Sequence, residues 1–171
     1  KERIDNYPHH ASQRGVFGFE LYKQMSQNKD IWLLTGDLGY GVFTPHFEDF
    51  PERCLNVGAA EQLLIGSAIG LVYGGKIPFC YSITSFLIYR PFELLRTYVN
   101  HERIPIKLIG SGRDFDYKHD GVSHHATDVR KILMAGLPQI ETLWPEREQE
   151  VPSMVDLMVK NGLPSFLSLS R

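Results

Sequence analysis

Short apolar runs alternate along the chain with longer segments whose apolar residues recur at helical spacing. The short runs are bounded by glycine, proline or polar turns and predict buried strands. They lie at residues 31–35, 54–57, 77–82, 106–109, 139–143 and 165–169. The segments between them predict helices at residues 14–27, 60–73, 91–102, 128–134 and 146–160. This alternation predicts an α/β fold in which a mostly parallel sheet carries helices on both faces.

The composition fits one ordinary globular domain spanning residues 1–171. There are 18 Lys and Arg residues against 20 Asp and Glu residues, so the formal charge is -2. Nucleic acids and anionic membranes attract strongly basic chains, so neither is expected as the main partner, and small ligands remain. Cys54 and Cys80 form no CxxC pair, and no apolar run approaches the roughly 18 residues that span a bilayer. We therefore expect a cytoplasmic protein.

Ligands of open α/β sheets bind at the carboxyl ends of the strands, and Glu61 directly follows one predicted strand. Glu61 opens a helix of small and apolar residues that we expect to be buried all round. The helix dipole stabilises a carboxylate there, whereas burial disfavours its charge, so a helix-capping role and a buried functional acid both stay open. Gly66, Ala68 and Gly70 would let another helix approach closely, either within the chain or on another subunit.

Phe86 and Tyr89 lie three residues apart beside Arg90, shortly after the end of a predicted strand. Aromatic rings in that place can stack on a heterocycle, although packing in the core is the simpler explanation when they are taken alone. Arg90 and Glu93 are also three residues apart, which is typical of an ion pair at a helix end.

The segment at residues 110–127 is too long and polar for a simple connection, and such loops are usually functional or mobile. Its His119, Asp120, His124 and His125 offer groups for acid–base chemistry or for binding hydroxyls, unless they are merely solvated. Their spacing matches no closed zinc pattern, so no metal site is predicted. Three other histidines have no partner pattern and are predicted to lie on the surface: His9, His10 and His46.

Four segments together resemble the pyrimidine-binding domain of the thiamine-diphosphate enzymes of the transketolase family. NVGAAEQ is similar to the family's asparagine-x-glycine-x-x-glutamate motif, and SFLIYR carries aromatics like those of its pyrimidine pocket. DGVSHH resembles an Asp-Gly-x-Thr-His turn, and PSFLSLSR resembles the strand that closes the domain. The segments occur in the family's order and span nearly the whole chain.

The resemblance implies that Glu61 hydrogen-bonds a ring nitrogen of the cofactor's aminopyrimidine. This shifts the ring to the imino form, whose exocyclic nitrogen then removes the thiazolium proton to give the nucleophilic ylid. Phe86 and Tyr89 are expected around the pyrimidine, and Ile83 replaces a third aromatic of transketolases. Asp37 matches an aspartate near the cofactor.

The resemblance also implies a sugar or sugar-phosphate substrate. Asp120 and His124 match residues that meet its hydroxyl and carbonyl oxygens, and Arg14 and Arg171 match two arginines that hold its phosphate. Further substrate contacts are expected from Arg90 and His125.

Two departures from the family pattern leave the phosphate site and the identity of the sugars open. A phosphate-binding serine aligns with about Gly41, and a substrate histidine aligns with about Gly112 or Arg113. The chain also contains no Gly-Asp-Gly, the motif through which the family holds the diphosphate by Mg²⁺.

We therefore expect the pyrimidine-binding subunit of a split transketolase, which transfers a two-carbon ketol unit. A partner subunit would hold the diphosphate and Mg²⁺, in a heterotetramer with the cofactor at the subunit interface. The alternatives are a 2-oxoacid decarboxylase or dehydrogenase subunit, a deoxyxylulose-phosphate synthase-like subunit, and a non-catalytic subunit that binds only its partner.

Overall fold

The computed structural model describes residues 2–5, 7 and 11–171. Six parallel strands form one sheet in the order β2-β1-β3-β4-β6-β5. The strands are β1 Ile31–Thr35, β2 Cys54–Asn56, β3 Ile77–Ile83, β4 Lys107–Ser111, β5 Glu141–Leu143 and β6 Ser165–Leu169. The α/β prediction is confirmed, and the sheet of described strands is parallel throughout.

The central strands are buried on both faces, which explains why their apolar residues run continuously in the sequence. Leu108 and Phe166 face one hydrophobic core, whereas Ile109 and Leu167, their neighbours along β4 and β6, face the other. All five residues of each strand are buried. The sheet therefore needs a cover of helices on each side.

Helices supply that cover on both faces. They are α1 Glu2–Asp5, α2 Gln13–Gln27, α3 Thr44–Asp49, α4 Glu61–Tyr73, α5 Thr84–Tyr89, α6 Phe92–Leu94, α7 Val129–Gly136 and α8 Val151–Lys160. A π-helix over Leu95–His101 follows α6. Buried residues of α4, α5 and α7 pack on the face of Leu108, and those of α2 and α8 pack on the face of Ile109.

Three short helices were not predicted from the sequence: α1, α3 and α5. Helix α3 has only six residues, and its main signal is Pro45 in the first turn. Helix α5 follows β3 without a break, so its apolar residues merge with those of the strand. Phe86 and Tyr89 are consequently on a helix rather than in a loop. Helix α8 begins later than predicted, after a 3₁₀ turn over Glu148–Glu150.

Helix α4 has one exposed face, so the expectation that it is buried all round is wrong. Leu64, Ile65 and Ala68 enter the core, whereas Leu63 and Tyr73 are 57% and 70% exposed. Gly66 and Gly70 also lie on the open face, where an added Cβ would meet no atom within 4 Å. Among the described residues, nothing therefore makes the close approach that these glycines would permit.

His9 and His10, which were predicted to lie on the surface, are outside the described residues. His46 is fully buried, so the prediction that it lies on the surface is wrong. Its ring stands edge-on to the rings of Tyr22 and Phe43. Burial among aromatic groups disfavours the imidazolium and lowers the pKa of His46 to about 3. Among the described helices, none is long and apolar enough to cross a membrane.

The buried His46 predicts a loss of stability in acid. Between its unfolded pKa near 6.5 and its folded pKa of about 3, the unfolded chain binds a proton that the folded chain excludes. The contribution of His46 to the free energy of unfolding should therefore fall by about 2 kcal/mol between pH 7 and pH 5. His46→Phe should remove that part of the fall in urea titrations. The exposed-site control His101→Phe should retain this fall. If the free energy of unfolding fell equally between pH 7 and pH 5 in His46→Phe and in wild type, His46 would not be its cause.

Candidate active site

Glu61 lies where the chain order across the sheet reverses, between the carboxyl ends of β1 and β3. Helix α4 begins at this residue, which is 2% exposed. Gly36 is the residue after β1, and a Cβ added to it would lie 3.6 Å from Glu61 Oε1. The carboxylate is thus enclosed in the crevice where open α/β sheets bind ligands.

Both carboxylate oxygens of Glu61 have a partner from the β3–α5 segment. Ser82, near the end of β3, donates from Oγ to Oε1 at 3.1 Å. Arg90, at the end of α5, donates from Nη1 to Oε2 at 2.8 Å. The partner of Arg90 is therefore Glu61 rather than Glu93. The arginine side chain is 44% exposed and the glutamate side chain 1% exposed, so the pair bridges the crevice and the surface.

The same guanidinium lies over the ring of Phe86. Its Cζ is 3.7 Å from the ring centroid, because residues four apart on a helix share a face. The imidazole of His124 approaches Phe86 from the polar loop, with the ring centroids 4.7 Å apart. Phe86 therefore connects the Glu61–Arg90 ion pair with His124 of the polar loop.

Tyr117 extends these contacts to the two arginines predicted to hold a phosphate. Its ring lies 6.2 Å from that of His124. Its hydroxyl accepts a hydrogen bond from Arg14 Nη1 at 3.3 Å and lies 2.8 Å from Ser111 Oγ. The guanidinium of Arg171 lies 5.2 Å from the Tyr117 ring centroid. Sequence reasoning missed Tyr117, whose only signal was its place in the long polar loop.

A continuous row of contacts thus crosses the carboxyl ends of the strands. We call it the strand-end row, and it consists of Glu61, Arg90, Phe86, His124, Tyr117, Arg14 and Arg171. It places a buried acid at one end, aromatic rings and a histidine in the middle, and two cations at the other end. This order suits a heterocycle, a polar reacting group and an anionic tail in sequence.

Asp37 stands outside the strand-end row, although it follows Gly36. It adopts a left-handed backbone with φ 59°. Its exposed carboxylate accepts hydrogen bonds from Tyr40 Oη at 2.6 Å and from Asn56 Nδ2 at 3.3 Å. The hydrogen bond from Tyr40, and to a smaller extent that from Asn56, lowers the pKa of Asp37.

Tyr89 points to α7 instead of joining Phe86, because its hydroxyl donates to the carboxylate of Asp128. Burial and this hydrogen bond raise the pKa of Tyr89. Ile83 is half-buried as the last residue of β3. The structure therefore links Phe86 to Glu61 through Arg90, while Tyr89 flanks the site from outside the row.

Asp120 and His125 are also not joined to the strand-end row by the described contacts. Asp120 is exposed at the end of a 3₁₀ turn. The ring of His125 packs against Phe115, with centroids 5.0 Å apart, and its Nε2 is buried without a hydrogen-bond partner among the described residues. Within residues 2–5, 7 and 11–171, no group of three or more His, Cys, Asp or Glu residues is placed to hold a metal ion.

The sequence matches the family model described as transketolase, pyrimidine binding domain, over residues 10–171. A protein of Methanocaldococcus jannaschii named as a transketolase C-terminal section is 26% identical over 163 residues. An apulose-4-phosphate transketolase subunit of Actinobacillus succinogenes is 31% identical over 125 residues. A 1-deoxy-D-xylulose-5-phosphate synthase of Corynebacterium glutamicum is 31% identical over 154 residues.

These alignments cover most of this chain but only part of each relative. They cover 95%, 73% and 87% of the chain, against 51%, 40% and 24% of the relatives. A solved structure named as a split gene transketolase, inactive beta4 tetramer, superposes with a TM-score of 0.82 at 29% identity. It is matched over 95% of this chain and 52% of its own length. The chain thus spans about half the length, or less, of the proteins it resembles.

Tyr117 owes its position to Gly112, which predicts a specific effect of one substitution. At Gly112, with φ +84°, an added Cβ would lie 2.2 Å from Tyr117 Cε2, whereas at Gly121, with φ +90°, it would meet nothing within 4 Å. Both alanine variants carry the strain of a positive φ, but only Gly112→Ala adds the clash. We expect Gly112→Ala to lower the free energy of unfolding by about 1–3 kcal/mol more than Gly121→Ala in urea titrations. Equal losses would show that Tyr117 does not depend on Gly112.

Proposed function

The chain belongs to the family of transketolase pyrimidine-binding domains, and from this premise we propose that it is the pyrimidine-binding subunit of a split transketolase-like enzyme. Such an enzyme transfers a two-carbon ketol unit between a ketose and an aldose with thiamine diphosphate as its cofactor. The observation that carries the proposal is the buried carboxylate of Glu61, which Arg90 links to the Phe86 ring. A residue that only capped the helix would need neither this burial nor a nearby aromatic ring.

The residues present suit the pyrimidine half of the cofactor. The Glu61 carboxyl can hydrogen-bond a ring nitrogen, and the face of Phe86 can stack on a flat heterocycle. When bound, the cofactor supplies a nucleophilic carbon that accepts the two-carbon unit. The work of the chain is to orient the pyrimidine, to hold a proton at its ring nitrogen through Glu61, and to exclude water from that contact.

The diphosphate and Mg²⁺ need residues other than those described. No metal-binding group of His, Cys, Asp or Glu residues occurs among the described residues, and Gly-Asp-Gly is missing from the sequence. We assign both to a partner subunit in a heterotetramer with the cofactor at the subunit interface. The open face of α4 and the relatives named as a subunit or a section support a divided enzyme.

The other end of the strand-end row suits a sugar phosphate. Arg14 and Arg171 both contact Tyr117. One guanidinium group can donate two parallel hydrogen bonds to the oxygens of a phosphate. His124 lies between these arginines and Phe86, where it can meet a hydroxyl or carbonyl oxygen of the sugar. Asp120 and His125 are proposed as further contacts from the same loop, and Asp37 as a neighbour of the cofactor.

A second candidate is a deoxyxylulose-phosphate synthase-like activity. The Corynebacterium glutamicum relative favours it, since its 31% identity equals that of the Actinobacillus succinogenes relative. Release of CO₂ from a 2-oxoacid by the assembled enzyme would support this candidate. Cleavage of a ketose without CO₂ supports the transketolase reaction.

Exchange of the thiazolium proton tests the role of Glu61. With a Gly-Asp-Gly-containing partner subunit added, wild type should exchange this proton with deuterium rapidly by NMR, and Glu61→Ala should slow exchange by at least about 10²-fold. Glu93→Ala, at an exposed position on the next helix, should leave the rate unchanged. The chain without its partner should give little acceleration. Normal exchange in Glu61→Ala would refute the assignment.

Substrate kinetics test the two arginines. Arg14→Ala and Arg171→Ala should each raise KM for a phosphorylated aldose about 10- to 100-fold, because each removes a charge-assisted hydrogen bond. KM for the matching unphosphorylated aldose should hardly change. The exposed-site control Arg147→Ala should resemble wild type with both sugars. Equal effects on both sugars would argue against a phosphate at this end of the row.

A further inference from the structure

Arg90 makes two contacts that the proposed function assigns to the cofactor. Its Nη1 is 2.8 Å from Glu61 Oε2, and its guanidinium carbon is 3.7 Å from the Phe86 ring centroid. The guanidinium is flat, carries N–H donors and stacks on aromatic rings, as an aminopyrimidine does. A single side chain thus engages the acid and the ring together.

We propose that Arg90 is an internal competitor of the aminopyrimidine, occupying its place between Glu61 and Phe86 and leaving when the heterocycle binds there. The inference rests on the proposed function, since it takes Glu61 and Phe86 as the seat of the pyrimidine. It departs from the expectation that Arg90 contacts the sugar.

The competition also controls what Glu61 can do. A carboxylate paired with a guanidinium only accepts hydrogen bonds, whereas a proton at the ring nitrogen must be shared with the carboxyl group. Arg90 and a proton on Glu61 are therefore mutually exclusive at Oε2. Withdrawal of Arg90 frees this oxygen, while Ser82 Oγ continues to orient the other one.

Arg90 is suited to withdrawal because it sits at the mouth of the crevice. Its side chain is 44% exposed. In the part of the chain that the structure describes, its guanidinium donates a single hydrogen bond, to Glu61. Gln62 Nε2 donates to the backbone oxygen of Arg90 at 3.4 Å, so the backbone can stay in place while the long side chain swings into water.

The test is an NMR titration of the labelled 171-residue chain with 4-amino-5-hydroxymethyl-2-methylpyrimidine. Arg90→Met keeps the unbranched stem but removes the charge, and it should bind this pyrimidine about tenfold more tightly than wild type. Arg96→Met, at an exposed position in the π-helix, should bind like wild type. In wild type, the Arg90 Nε–H signal should move towards that of free arginine as the Phe86 and Glu61 side-chain signals shift.

A second probe keeps the proposal testable if Arg90→Met folds poorly. Methylguanidinium added to Arg90→Ala should shift the Phe86 and Glu61 signals, and the pyrimidine should displace it. Pyrimidine binding at Phe86 and Glu61 that is unchanged or weakened in Arg90→Met, or that leaves the Arg90 signal in place, would overturn the competition alone. A pyrimidine that shifts neither residue in wild type or in Arg90→Met would overturn the proposed function as well.

Discussion

The carboxylate of Glu61 lies almost entirely out of water, and a buried charge of this kind is tolerated only when its oxygens have partners. Ser82 and Arg90 supply them from the end of β3 and the end of α5. The pairing requires the start of α4 to lie against the end of β3, with α5 following that strand without a loop. The position of α5 relative to α4 is therefore tied to this one acid.

Aromatic contacts carry this arrangement across the strand ends. Phe86 links the buried pair to His124, and Tyr117 links His124 to Arg14 and Arg171. The row changes from the enclosed acid Glu61 to the half-buried Arg14 and the exposed Arg171. The carboxyl ends of the strands thereby offer separate environments for a heterocycle and for an anionic group. The proposed cofactor and sugar phosphate need such a pair of environments.

The open face of α4 is consistent with a site that is shared between two subunits. Its inner side stabilises the core through Leu64 and Ala68, while Gly66 and Gly70 leave a shallow exposed strip on the outside. A site whose diphosphate-binding half lies on another polypeptide needs such surfaces close to the cofactor. Glu61, at the start of this helix, is positioned by the core, and in the proposed function the partner subunit completes its site.

The sequence by itself determined the α/β class and the six strands, because periodicity is a local property of a chain. A short motif after a strand end also singled out Glu61 as a candidate. The sequence also singled out Phe86, His124 and the two arginines through their resemblance to a known family. Only the tertiary structure decided that Arg90 pairs with Glu61, that Tyr117 joins the row and that His46 is buried. Each of these depends on segments far apart in the chain, and their meeting is decided by strand order and packing, which no local pattern records.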